Sequence, residues 1–87
     1  MGVTIDRSVT VEVRLFGRYR ELADGPSITL ELPEGATVAG LVRELHRRAP
    51  GRLPERPIVA VDHRPARDEA RIHPRSEIAL IPPVAGG

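Results

Sequence analysis

The sequence predicts an α+β fold, a mixed sheet of four to five strands packed on one main helix. Three observations predict it. Two early runs alternate apolar and polar residues with a period of two, one middle run repeats its apolar residues at helical spacing, and two later runs are short and apolar. The chain has 87 residues, enough for one small domain that buries roughly 60–65% of its unfolded surface. Residues 1–8 read as a leader without pattern, 9–82 as the folded domain and 83–87 as an extended tail.

The first strand starts at Val9. Val9, Val11, Val13 and Leu15 point one way and Thr10, Glu12 and Arg14 the other, and Phe16-Gly17 closes the run. Arg18 to Ala23 is short and charged and reads as a turn of helix, followed by the turn cluster Asp24-Gly25-Pro26. Ile28, Leu30 and Leu32 form a second alternating strand, so the pair reads as a hairpin with a long loop. Pro33-Glu34-Gly35 breaks the pattern, and Thr37 is placed to cap a helix with its hydroxyl. Val38, Leu41, Val42 and Leu45 then fall at i, i+3, i+4 and i+7, one apolar stripe. His46, Arg47 and Arg48 occupy the last turn, where positive charge suits the helix dipole, and Pro50-Gly51 ends the helix. Gly40 inside the helix costs about 1 kcal/mol relative to alanine, which points to close packing on the sheet as its use.

After a linker from Gly51 to Pro57, Ile58-Val59-Ala60-Val61 is a continuous apolar strand, expected to be covered on both faces. Asp62-His63 reads as a hairpin tip. Arg64 to Pro74 is polar with one apolar anchor at Ile72, and Glu77 to Ile81 is the last strand. The order is ββαβ, a polar stretch, then β. A right-handed crossover through the helix makes its flanking strands parallel, and the first and last strands then run parallel in the middle of the sheet. Phe16 and Tyr19 are the two aromatic residues, so the core is expected from Val, Leu, Ile and Ala.

Composition removes several kinds of chemistry. There is no cysteine, hence no disulfide, thiolate metal site or cysteine nucleophile. His46, His63 and His73 are scattered without ligand spacing, so no metal site is expected. No phosphate-binding glycine loop and no serine elbow occurs. Asp68-Glu69 are adjacent, hence not facing partners in acid–base work. The net charge is +1, and the basic stretch Arg64, Arg67, Arg71 and Arg75 is interleaved with acids and lacks aromatic residues, so neither nucleic acid nor a membrane surface is an expected partner. No apolar run spans a bilayer and no signal peptide is evident, so the cytoplasm is the expected compartment. All 13 basic residues are arginine, which leaves no lysine amine on the chain.

No catalytic side chain is therefore expected, and attention falls on the sequence Ile81-Pro82-Pro83-Val84-Ala85-Gly86-Gly87. Two prolines end the strand and stiffen the start of the tail, while Gly86 and Gly87, lacking Cβ atoms, fit a channel too narrow for other residues. The α-carboxylate on such an arm is ionised at neutral pH and inert toward nucleophiles. It becomes useful when a partner enzyme converts it with ATP to an acyl-adenylate that sulfur then displaces. The product, a thiocarboxylate, is a sulfur nucleophile on a tethered arm, while the folded domain supplies grip on the partner.

Three stretches carry a family resemblance: Leu15-Phe16-Gly17-Arg18-Tyr19-Arg20-Glu21-Leu22-Ala23, then Leu32-Pro33-Glu34-Gly35-Ala36-Thr37-Val38, and Glu77 through Gly87. They resemble the β-grasp, ubiquitin-like sulfur carriers of the MoaD and ThiS type, and among them most of all the small subunits of molybdopterin synthase. The resemblance runs over nearly the whole chain from Val9, and Pro-Pro-Val-x-Gly-Gly is its most specific part. It implies a ubiquitin-like fold and a sulfur-carrying Gly87, with Gly86, Ala85, Val84, Pro83 and Pro82 threading into a large synthase subunit. Phe16, Leu80 and Ile81, near the exit strand, are the expected partner interface. The implied partners are that large subunit, an E1-like adenylyltransferase that uses ATP, and a sulfur donor (a sulfurtransferase). No cofactor is expected on the chain itself. Two departures stand out: His73-Pro74-Arg75-Ser76 replaces the Asp-Gly turn common before the last strand, and Leu80 and Ile81 stand where many members are aromatic. Carriers for thiamine, tRNA thiolation or cysteine synthesis, a ubiquitin-like protein modifier, and an interaction domain with an inert tail are the alternative classes.

Overall fold

The computed structural model describes residues 7–22 and 25–82. The expected tail residues Pro83, Val84, Ala85, Gly86 and Gly87 lie outside the described residues, as do residues 1–6 of the expected leader. The elements are β1 (Ser8–Leu15), a 3₁₀ helix (Gly17–Leu22), β2 (Ser27–Pro33), α1 (Val38–Arg48), β3 (Ile58–Val61), β4 (Arg64–Pro65) and β5 (Ile78–Ile81). The five strands form one mixed sheet in the order β2-β1-β5-β3-β4. β1 pairs parallel with β5, and every other neighbouring pair is antiparallel. The strands flanking the helix, β2 and β3, consequently run the same way with β1 and β5 between them. The parallel first and last strands expected from the crossover lie next to each other inside the sheet, and β5 is its middle strand.

Alternation sets the two faces. Val11, Val13 and Leu15 of β1, Leu30 and Leu32 of β2, Val59 of β3 and Ile78 and Leu80 of β5 are buried on one face, against Val38, Leu41 and Leu45 of α1. Strand β1 begins at Ser8, and the Glu34 N–H donates to the Arg7 carbonyl (2.9 Å), so sheet hydrogen bonding reaches two residues ahead of the Val9 start read from the alternation. Thr37 is the N-cap of α1, its hydroxyl accepting from the Gly40 N–H at 3.4 Å. The neighbouring helix N–H groups find an unexpected partner. Val38 N–H donates to the Ala70 carbonyl and Ala39 N–H to that of Asp68, both at 2.9 Å, so the polar stretch caps the helix with its backbone. Ile72 anchors that stretch in the core, 3% exposed.

Three expectations need correction. Gly40 does not approach the sheet: a Cβ built on it would meet only the Arg43 guanidinium at 3.7 Å and Thr37 Oγ1 at 4.0 Å. The core is not purely aliphatic, because Tyr19 is buried with it, held where the 3₁₀ helix folds under the end of β1. Strand β3 is not covered on both faces. Val59 faces the core, but Ile58, at the strand's start, is 43% exposed on the other side. Among the described residues no helix is long and apolar enough to cross a membrane.

Candidate functional site: the exit of the C-terminal segment

Strand β5 carries the chain toward its Gly-Gly end, and the sheet holds it from both sides. Val13, Arg14 and Leu15 of β1 face Ile78, Ala79 and Leu80, while Ile58 through Val61 of β3 face Ile81 back through Ile78. Ile78 and Leu80 point into the core, 1% and 0% exposed, and lock the strand by packing. Pro82 follows half-buried beside Gly17. Gly17 sits at φ +57°, and a Cβ built there would lie 3.2 Å from Pro82 Cγ. Any other residue would combine that strained backbone with a Cβ to which Pro82 must yield by a few tenths of an ångström.

The start of β5 is fastened as well. Asp62 and His63 both have positive φ, 52° and 69°, the conformation of a two-residue type I′ hairpin turn. From this tip Asp62 N–H donates to the Glu77 carbonyl (2.8 Å), and Glu77 N–H donates to Asp62 Oδ1 (3.0 Å). His63 Nε2 lies 3.1 Å from Glu77 Oε2, both side chains exposed. The pair read from the sequence as a hairpin tip thus also clasps the exit strand. His46 is elsewhere, its Nε2 3.3 Å from the Glu55 carbonyl, and among the described residues no three His, Asp or Glu side chains converge as metal ligands do.

On the solvent face of the sheet, next to the exit, the surface is apolar. Phe16 and Ile81 are 44% and 36% exposed, and Ile58, the Cα partner of Ile81, joins them. Ala60 and Ala79 lie between, lining with Phe16 and Ile81 a shallow groove of about 220 Å³ whose rim carries Arg14, His63 and Glu77. The other half of this face, on β1 and β2, is polar and charged: Thr10, Glu12, Thr29 and Glu31. Of the expected interface residues the structure exposes Phe16 and Ile81. Leu80 is a correction. It is fully buried on the opposite face, because neighbours in a strand point to opposite sides, and it supports the exit without meeting a partner. Ile58 was missed. The run Ile58–Val61 looked uniformly apolar, and the signal that could have found it is its pairing with β5, which puts Ile58 in line with outward Ile81.

On helix α1, away from the exit, Glu44 accepts two hydrogen bonds from Arg47 (3.0 and 2.6 Å) and one from Arg48 (3.2 Å). The Arg47 hydrogen bond, aided by that of Arg48 against partial desolvation, lowers the Glu44 carboxyl to about 2. The same pairing raises the Arg47 guanidinium.

The sequence model of the ThiS family matches residues 13–87, a span that includes the end of β1, the exit strand and the Gly-Gly end. The chain belongs to the ThiS family. This puts it among the sulfur carriers of the MoaD and ThiS type, with the β-grasp, ubiquitin-like fold. A curated relative from Arabidopsis thaliana, described as a molybdopterin synthase sulfur carrier subunit, is 37% identical over 82 residues, covering 92% of this chain and 85% of that protein. Among solved structures, a Pyrococcus furiosus protein assigned as subunit 1 of a molybdopterin converting factor superposes with a TM-score of 0.74 at 27% identity, over 87% of this chain and 99% of its own. The SAMP1 protein of Haloferax volcanii superposes with a TM-score of 0.72 at 25% identity, over 90% of this chain and 99% of its own.

Proposed function

We propose that this ThiS-family chain is the sulfur-carrying small subunit of a molybdopterin synthase, with Gly87 as the residue that carries the sulfur. The observation that supports this most is the 37% identity, over 92% of the chain, to a protein described by that role. The exit geometry fits it. The segment ending in Gly86-Gly87 continues from the middle strand of the sheet, and an apolar face beside the exit suits docking on a large subunit.

In this reading the domain contributes no catalytic side chain. An E1-like partner uses ATP: a Gly87 carboxylate oxygen attacks the α-phosphorus and pyrophosphate leaves, giving the acyl-adenylate. The terminal sulfur of a sulfurtransferase persulfide attacks the acyl carbon and AMP leaves, and a thiol then reduces the resulting acyl disulfide, releasing the thiocarboxylate. Residues 82–86 thread the tail into the large subunit, where the sulfur attacks a side-chain carbon of cyclic pyranopterin monophosphate and displaces an oxygen substituent; water then cleaves the acyl–sulfur bond, which restores the carboxylate and leaves the sulfur on the pterin. Two such transfers supply the dithiolene. Phe16, Ile58 and Ile81 make the docking contact. The work takes place in the cytoplasm with ATP as a co-substrate of the partner, not a ligand of this chain.

Intact-mass measurement of the protein purified from its own cells tests the chemistry. The expected result is replacement of one oxygen by sulfur in the peptide ending at Gly87. An unmodified carboxylate after incubation with the cell's activating enzyme, ATP and sulfur donor would overturn the reading. Transfer to the pterin in a reconstituted synthase tests the pathway, and success only in a thiazole-forming assay would assign the carrier to thiamine instead.

The likeness to SAMP1, a small archaeal modifier protein, favours one second reading, conjugation of Gly87 to lysines of other proteins. Gly-Gly remnants on target lysines would mark it. This chain has no lysine, so it forms no lysine-linked chains of itself.

A further inference from the structure

We infer that Gly17 is a positioning residue for sulfur transfer: its missing Cβ lets Pro82 seat against the start of the 3₁₀ helix, and that seat sets the direction in which the C-terminal segment leaves the sheet. The inference rests on the sulfur-carrier reading. Two observations carry it. Gly17 has φ +57°, and its absent Cβ would stand 3.2 Å from Pro82 Cγ, tighter than an ordinary van der Waals contact. Gly35 (φ +83°) and Gly51 (φ +76°) share the backbone conformation, but a Cβ on either meets nothing within 4 Å. The crowding at Gly17 therefore belongs to its place beside the exit and not to positive φ in general.

Pro82 has little freedom to yield. Its ring fixes φ, and the residue before it, Ile81, is paired with Ile58 of β3. A Cβ at position 17 moves the ring by a few tenths of an ångström. Roughly 4 Å beyond the last laddered Cα, that shift is a rotation of about 5°. Over the five further residues to Gly87, at most about 17 Å of chain, a rotation of this size amounts to a displacement of up to about 1.5 Å. Misplacement on that scale lowers rates by up to about 100-fold when the reacting groups are otherwise held in place. Docking through the apolar face, which does not include Gly17, should be indifferent.

The test is single-turnover sulfur transfer from thiocarboxylated protein to the large subunit loaded with its pterin, with affinity measured separately by calorimetry. Gly17→Ala should slow transfer about 10- to 100-fold while changing affinity less than about twofold. Gly35→Ala and Gly51→Ala, which carry the same backbone strain without the contact, should leave the rate within about twofold. The deciding arm is Pro82→Ala, which removes Cγ. In that background the further change Gly17→Ala should slow transfer by less than about threefold. An equal effect of Gly17→Ala in both backgrounds, or equal slowing by Gly35→Ala, overturns the inference. If the wild-type protein transfers no sulfur, the carrier reading fails by itself. The positioning claim is then decided by residual dipolar couplings around Ile81 in the isolated protein, which must change in Gly17→Ala and revert with Pro82→Ala, and no change overturns it.

Discussion

A negative charge at Ile58 should uncouple docking from folding. Ile58 begins β3, is 43% exposed, and faces outward beside Ile81. Burying a whole isoleucine side chain is worth roughly 1.5–3 kcal/mol, so the part still open to a partner is worth about 0.6–1.3 kcal/mol. Ile58→Ala should then weaken association with the large subunit about three- to ninefold. Ile58→Asp adds an unpaired carboxylate to an apolar contact, and leaving such a charge uncompensated costs about 3–5 kcal/mol, more than 100-fold in affinity. Folding should barely register either change, since exposed positions shift stability by only about 0.5 kcal/mol. The assay pairs calorimetric titration against the large subunit with a thermal melt. Thr29→Asp, on the polar half of the same face, is the matched control and should bind like the wild type. An Ile58→Asp protein that melts normally and binds within threefold of wild type would refute docking through this face.

Leu80→Ala should behave in the opposite way: with the side chain fully buried in the middle strand, it should lose about 3–5 kcal/mol in urea unfolding, while whatever protein remains folded binds its partner normally. Gly40→Ala should raise the melting temperature by about 4–8 °C, because the new methyl meets nothing closer than 3.7 Å and the helix gains about 1 kcal/mol; a lower melting point would mean the site is crowded after all. Glu44→Gln should change how stability depends on acid. The Glu44 carboxyl is lowered in the fold from 4.5 to about 2, so its contribution is complete above about pH 4.5 and disappears as pH falls through about 2. Chemical unfolding from pH 7 down to pH 2 should show the wild type and Glu44→Gln converging within that window, and a gap that stays constant would contradict the pairing with Arg47 and Arg48.

Most of the sheet was legible because its signal is local. β1 and β2 alternate cleanly, the stripe from Val38 to Leu45 carries its own cap at Thr37, and the paired positive φ of Asp62-His63 is the hairpin tip read from the sequence. The features that stayed hidden depend on contacts between distant segments. Nothing in the composition of residues 66–72 says that their carbonyls will satisfy the first N–H groups of α1, because a backbone acceptor has no side-chain signature. Gly40 misled for a related reason: glycine in a helix signals permission for close approach, not the approach itself. The site shows the same division. The exit strand was readable from Glu77 to Ile81, but which of its residues faces outward is decided by register, and a one-residue difference separates outward Ile81 from buried Leu80. Ile58 required knowing that β3 lies beside β5, and Gly17 required knowing that β1 ends beside Pro82.

The place of β5 has a consequence for biosynthesis. The ribosome makes β1, β2, α1, β3 and β4 first, and none of β1's neighbours on one side, nor of β3's, exists until β5 emerges. Until then the strand between β1 and β3 is missing, and each of those two strands has an edge without its partner. Closure joins the earliest strand to the latest, a pairing of the greatest sequence separation and hence among the last contacts to form. A chain truncated before Ile78 lacks the strand that joins β1 to β3. The structural element that completes the sheet is thus the one that leads to the Gly-Gly end, which ties folding of the domain to synthesis of the strand that presents it.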